Sequence, residues 1–298
     1  MTRHITIVPA STKAGRETIR ALLASESNPS IRAVYRDPSK APAEFIQNSN
    51  FEAVKGDVGD GGSLDFTGSD AVFYIPPPTY DGTDQGEWAT RSATNVRKAL
   101  KDADVKRLVI LSAIGAQNSS GIGVLRLNYI SDETLKDSVP EVVIIRPTYF
   151  FEDFAYLLDA AKEENPTIHS WITPIDYKIP LVGLKDVASN TARSLLVSSV
   201  ETSPHYFNVF GPRAYGSVDL KDIVEEVTGK VFELKLVEEN QLLDYWKQIV
   251  PEVYAEEFKE MTTAGLPGGV IAEDFVYDEK TVRGEQELVD ALRALYKN

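Results

Sequence analysis

The 298-residue chain carries 31 Lys and Arg against 45 Asp and Glu, a formal net charge of −14, with 43% hydrophobic and 26% charged residues. That balance is ordinary for a globular protein and argues against nucleic acid as a main partner, because neutralising phosphates takes clustered cations. There is no cysteine, which excludes disulfides, thiolate nucleophiles and Cys-ligated metals. No stretch is long and apolar enough to span a bilayer, and no signal-peptide core follows Met1. The expectation is a cytoplasmic chain without a membrane partner, long enough for one elaborated domain or two lobes.

Residues 4–8 are a short β-branched run that reads as a buried parallel strand. A turn of small and polar residues follows, Pro9-Ala10-Ser11-Thr12-Lys13-Ala14-Gly15. Residues 16–24 then carry a helical stripe through Ile19, Leu22 and Leu23. Strand, turn and helix N-terminus together present backbone N–H groups to a phosphate. Further strands are predicted at 30–36, 51–57, 71–75, 107–112 and 142–147, with helices at 43–46, 87–103 and 129–136. Alternating strands and helices specify an α/β fold, a Rossmann-type doubly wound parallel sheet. It occupies residues 1–150 and is completed by 185–212. Past Pro147 the alternation loosens: helices are predicted at 151–162, 186–198 and 218–228 (with Ser217 as N-cap), and strands at 205–210 and 230–237. Residues 151–184 and 213–298 make a smaller, mainly helical lobe for substrate.

Several segments in this order carry a resemblance. They are Arg32-Ala33-Val34-Tyr35-Arg36-Asp37-Pro38-Ser39-Lys40, Gly56-Asp57-Val58-Gly59-Asp60 and Gly68-Ser69-Asp70-Ala71-Val72-Phe73. They continue with Val105-Lys106-Arg107-Leu108-Val109-Ile110-Leu111-Ser112, Ile145-Arg146-Pro147-Thr148-Tyr149-Phe150-Phe151 and Ile179-Pro180-Leu181-Val182-Gly183. The chain resembles the NmrA-like proteins, atypical members of the short-chain dehydrogenase/reductase superfamily, over nearly its whole length. The resemblance implies NADP(H) as cofactor. It places Arg36 on the 2′-phosphate, with Lys13 and Lys40 as helpers. It puts Asp57, Val58 and Pro76 beside the adenine and nicotinamide halves, and Ser11, Thr12 and Gly15 at the pyrophosphate. Read in isolation, Arg36 is a solvated strand-end charge.

Two departures bear on chemistry. The family's glycine-rich turn aligns with residues 9–15, where Pro9 removes a donor and Thr12 adds a β-carbon, leaving Gly15 alone. The superfamily's Lys falls on Asn128 and its Tyr on Val124, so the Tyr-x-x-x-Lys dyad is absent. The resemblance assigns Ser112, Asn128 and Tyr80 to the reacting end of the pocket. Tyr149, Phe150, Phe151, His169 and Trp171 stand as walls for a planar substrate; packing alone also accounts for the rings. His4, His169 and His205 lack metal-ligand spacing, and the acidic pair Glu152-Asp153 reads as solvated helix-end charge. Asp186 reads as structural.

The expected function is an NADP(H)-binding enzyme acting on a hydrophobic, aromatic or polycyclic small molecule, a reductase-type tailoring enzyme of secondary metabolism. Two alternatives stand beside it: a non-redox cyclase or isomerase on the same fold, and a non-catalytic NAD(P) sensor. The acidic stretch 238–260 is the sensor's candidate contact surface. Oligomeric state is open.

Overall fold

A computed structural model of the chain describes residues 2–297. Two compact units emerge from its contacts. The first comprises residues 1–116, 126–146 and 187–207; the second comprises 117–125, 147–186 and 208–298.

The first unit is built on strands β1 (His4–Val8), β2 (Ser30–Tyr35), β3 (Phe51–Lys55), β4 (Ala71–Tyr74), β5 (Arg107–Leu111) and β6 (Glu141–Pro147). Helices α1 (Lys13–Leu23), α2 (Ala43–Ile46), α3 (Gln85–Asp102) and α4 (Arg126–Leu135) alternate with them. Both faces of the central strands are covered, so β4 and β5 are buried at every residue. This is why they read as continuous apolar runs and not as alternating ones. The pairs β1–β2, β2–β3, β1–β4, β4–β5 and β5–β6 all run parallel. The full sheet has the order β3-β2-β1-β4-β5-β6-β10-β13. The chain thus reverses direction between β1 and β4, the crevice where open α/β sheets bind ligands at the carboxyl ends of their strands. Register aligns those ends: Val8 faces Tyr74, Tyr35 faces Lys55 and Leu111 faces Ile145. Val8, Val34, Val72, Val96, Leu108, Ile110 and Ile144 fill one side of the sheet.

The second unit contains the two-residue strand β7 (Tyr149–Phe150), α5 (Tyr156–Ala160), β8 (Thr167–Ser170) and β9 (Ile179–Val182). After α6 (Leu184–Leu196) and β10 (His205–Phe210) come β11 (Ala214–Tyr215), α7 (Ser217–Thr228) and β12 (Glu233–Leu236). The chain ends with α8 (Leu242–Lys247), α9 (Glu252–Ala264), β13 (Thr281–Arg283) and α10 (Leu288–Tyr296). Two small sheets, β11-β9-β7 and β12-β8, accompany the helices. The eighth strand of the main sheet, β13, is only three residues long and pairs with Asn208–Phe210; nothing in its composition announces a strand. Two local expectations are corrected. Ser217 is not an N-cap: it is buried, its hydroxyl bonding Ser170 Oγ and the Ile172 carbonyl. The Asp219 carboxylate instead accepts the Gly216 amide at 2.8 Å. Glu152 is not a solvated charge either, because it accepts the Leu184 amide at the start of α6, at 3.1 and 3.2 Å. A carboxylate there stabilises the positive helix end. Asp186 accepts the Gln286 amide at 3.0 Å, a structural contact as expected.

Candidate functional site

The turn after β1 is wound tightly enough to set its own sequence. The Ala10 amide donates to the Val34 carbonyl at 2.9 Å. Thr12 is the N-cap of α1: its hydroxyl accepts the Gly15 amide at 2.9 Å and lies 3.3 Å from the Pro9 carbonyl. A Cβ on residue 15 would stand 2.9 Å from Thr12 Oγ1, 3.0 Å from the Ala10 carbonyl and 3.1 Å from that of Pro9. Gly15 is therefore required by the winding of the turn itself. The Thr12 hydroxyl, read from sequence as a phosphate donor, is engaged in capping. Ser11 and Lys13 are exposed at the same turn, and the first turn of α1 carries no acidic residue. An anion would meet no like charge at this helix end.

Past β2, Arg36 and Lys40 are both exposed. Among the described residues no carboxylate pairs with the Arg36 guanidinium. Asp37 is turned away from ligand work: its Oδ1 accepts the Ser39 amide at 3.1 Å and the Ser39 hydroxyl at 2.7 Å, capping a short 3-10 turn over Pro38–Lys40. Those bonds, with the fields of Lys40 and Lys55, hold its carboxyl below the usual range. Lys55 ends β3 directly across from Tyr35. The buried Tyr35 ring lies near Arg16, whose charge opposes the upward push of burial on its hydroxyl. Arg36, Lys40 and Lys55 thus gather at the β2–β3 edge of a strongly acidic protein. Sequence reading missed Lys55 because only pairing register brings it there.

Asp57 and Val58 follow β3. Asp57 Oδ1 accepts the Gly59 amide at 2.9 Å; Val58 is buried, and its carbonyl accepts from Asn95 Nδ2 at 2.9 Å. The segment 59–61 is clamped on α3, since Cβ atoms at Gly59 and Gly61 would strike Trp88 and Asn95. The Trp88 indole donates to the Pro77 carbonyl at 2.7 Å. Pro76 is buried beside it, continuing β4, while Tyr80 is 51% exposed on the loop beyond.

At the ends of β5 and β6 lies the first unit's buried polar cluster. Ser112, 4% exposed, donates from Oγ to Asp132 Oδ2 at 2.7 Å. Arg146 Nη2 reaches the same oxygen at 3.3 Å, and its guanidinium lies 4.7 Å from the Tyr206 ring centroid. Burial lifts the Asp132 carboxyl to about 6, against the opposing pull of Arg146 and the Ser112 hydroxyl. Asn128 is buried one turn earlier on the same face of α4. Asp132 and Arg146 were missed from sequence; a carboxylate four residues after Asn128, on the helix face that also carries Leu127, Ser131 and Leu135, was the available signal.

The wall residues fall in the second unit. Phe151 is fully buried, edge-on to Tyr215 at 5.6 Å, and belongs to the core. Trp171 is buried and packs 5.0 Å from Tyr149 and 6.4 Å from Phe154. Tyr149 and Phe150 are half-buried, and burial raises the Tyr149 hydroxyl well above its ordinary value. His169 is exposed on β8. Among the described residues no group of three metal-ligating side chains exists, and no helix is long and apolar enough to cross a membrane.

Residues 10–172 match a family model described as NAD(P)H-binding. A curated relative, the photosystem II assembly factor Ycf39 of Cyanophora paradoxa, is 24% identical over 232 residues, 76% of this chain and 69% of its own length. Among solved structures, an NADPH-dependent quinone oxidoreductase of Escherichia coli, complexed with NADPH, superposes with a TM-score of 0.78 at 21% identity. It covers 98% of this chain and 99% of its own. A triphenylmethane reductase of Citrobacter sp., complexed with NADP(H), gives 0.77 at 18% identity, covering 97% and 99%. These likenesses agree with the fold and the family resemblance read from sequence.

Proposed function

Because this chain belongs to the NAD(P)H-binding family, we propose that it holds NADP(H) at the carboxyl edge of β1–β3 and works as a reductase on a hydrophobic, aromatic small molecule. The observation that carries the cofactor choice is Arg36. Its exposed guanidinium has no carboxylate partner among the described residues and stands with Lys40 and Lys55 on a chain of net charge −14. Asp37, the carboxylate that follows β2, is committed to Ser39. A guanidinium fork suits a 2′-phosphate, and a tied carboxylate is a poor partner for a free ribose hydroxyl. Ser11, Lys13 and the first-turn amides of α1 would face the pyrophosphate, with Gly15 keeping the turn tight. Asp57, Val58 and Pro76 would border the rings. When bound, the nicotinamide supplies hydride to an electrophilic carbon of the substrate. Ser112 would orient the substrate. The aromatic substrate class draws support from the names of the solved neighbours, a quinone oxidoreductase and a triphenylmethane reductase. A tailoring step of secondary metabolism in the cytoplasm is the setting this reading favours, with no nucleic-acid or membrane partner.

Nicotinamide fluorescence on the purified protein tests it. NADPH should bind, and Arg36→Ala should weaken it by about one to two orders of magnitude, the worth of one charge-assisted phosphate contact. NADH, lacking that phosphate, should be unchanged. Equal loss for both cofactors, or loss for neither, overturns the placement.

A second reading, in which the chain binds NAD(P) without turning it over, is favoured by one observation: the superfamily's Tyr and Lys positions hold Val124 and Asn128, both buried. A cyclase, an isomerase or a regulator acting on a partner protein would fit, and the curated relative is named as an assembly factor. NADPH binding without oxidation of NADPH by 1,4-naphthoquinone would favour this reading over the first.

A further inference from the structure

The hydroxyl of Ser112 has one proton, and the structure shows where it goes. Oγ lies 2.7 Å from Asp132 Oδ2, which also receives Arg146 Nη2 at 3.3 Å. An ionised carboxylate only accepts, so Ser112 must be the donor. The geometry is that of a charge-assisted O–H···O⁻ bond. Asp132 is 2% exposed and cannot turn to water, and its other oxygen, Oδ1, has no hydrogen-bond partner. What Ser112 keeps for any incoming molecule is its lone pairs.

We infer that Asp132 is a positioning residue that makes Ser112 a hydrogen-bond acceptor, so that the β5 edge selects ligands presenting an O–H or N–H donor over those presenting a carbonyl. This rests on the reading that Ser112 borders the ligand pocket. It narrows the ligand class there to phenols, alcohols, hydroquinones or carboxamides when Asp132 is ionised. Protonation of Asp132 removes the charge that holds the hydroxyl and frees its proton for an acceptor, so the preference reverses in acid. The groups facing Asp132 are Ser112 at the end of β5, Arg146 on β6 and Glu133 on its own helix. Tyr206 on β10 and Lys136 at the end of α4 lie just beyond, within the same field. The carboxyl value of about 6 places the reversal at mildly acidic pH.

The test compares two probes of one shape, 2-naphthol as donor and 2-acetylnaphthalene as acceptor, with NADP⁺ present, between pH 5 and 8. At pH 7.5 the wild-type ratio of affinities should favour 2-naphthol about tenfold more than in Ser112→Ala, the effect of one hydrogen bond. The wild-type ratio should fall as pH drops through about 6, and the isosteric Asp132→Asn, which cannot titrate, should give a ratio flat with pH. A purely structural Asp132 would leave the ratio unmoved. A carbon-13 carboxyl titration of Asp132 in wild-type protein needs no variant to fold: a midpoint about two pH units above the ordinary value is expected, and an ordinary midpoint overturns the reversal at mildly acidic pH. A wild-type ratio indifferent to pH overturns it too, as does failure of both probes to bind. NADPH binding on the same samples shows whether the cofactor reading falls with it.

Discussion

The cluster on one side of the first unit's sheet is mostly aliphatic, with Val, Leu and Ile from β1, β4, β5 and β6 closing on α3 and α4; Phe66 and Tyr74 are its buried rings, and Tyr35, Phe45 and Phe73 are buried elsewhere in the unit. The second unit packs Phe151, Phe154, Trp171, Tyr215 and Phe232, with Tyr149, Tyr177, Tyr245, Trp246 and Phe275 against them. Some of their glycines differ as well. In the first unit added Cβ atoms at Gly56, Gly59 and Gly61 meet side chains first, whereas at Gly123, Gly211 and Gly269 in the second they meet backbone. A side chain can move aside; a backbone carbonyl cannot. At those positions the first unit leaves a neighbour able to shift and the second sets backbone against backbone, while Gly15 in the first unit also meets backbone and Gly183, Gly265 and Gly284 in the second meet side chains first.

The sharpest break of that contrast is Gly123→Ala. Its Cβ would lie 1.9 Å from the Glu257 carbonyl, at a residue with φ of +54°. Clash and left-handed strain together predict a loss of about 4 kcal/mol or more, read as failure to fold or a collapsed melting temperature. Gly62→Ala in the first unit, where the nearest atom is 3.4 Å away, should fold normally.

Phe151→Ala comes next. As a fully buried ring it should cost about 3–5 kcal/mol in chemical denaturation. If it folds normally and alters only ligand binding, Phe151 is a pocket wall and the core assignment is wrong.

Asp132 gives the third. Its folded carboxyl, at about 6, lies above the ordinary 3.8, so the folded state binds the proton more tightly than the unfolded one. Stability from this group is full below pH 4 and is lost as pH rises through 6, by roughly 3 kcal/mol in all. Subtracting the pH profile of Asp132→Asn from that of wild type isolates it. A difference of opposite slope would mean that Arg146 outweighs burial.

The smallest effect belongs to His169. Exposed on β8, its replacement by Ala should change stability by less than about 0.5 kcal/mol and leave cofactor binding unchanged. A change in the pH dependence of any turnover would instead assign it an acid–base role.

Hydrophobic patterning by itself determined the parallel sheet, because strands buried on both faces must be apolar throughout and each must be followed by a helix to return the chain. It also put Arg36 at a strand end, while the wear of the glycine turn was legible only against the family resemblance, since both are properties of contiguous residues. The tertiary structure decided the rest. Lys55 joins Arg36 only through the register of β2 and β3, and β13 is a strand only because β10 offers it an edge. Ser112, Asp132 and Arg146 come from three elements, and their shared proton and charge exist only where β5, α4 and β6 converge. Thr12 reads as a pyrophosphate contact and Glu152 as solvated charge until the structure shows the amides each one accepts. Local sequence fixes what a residue can offer, but a hydrogen bond or a displaced pKa needs a partner within about 3 Å, and that partner is chosen by the packing of segments far apart in the chain.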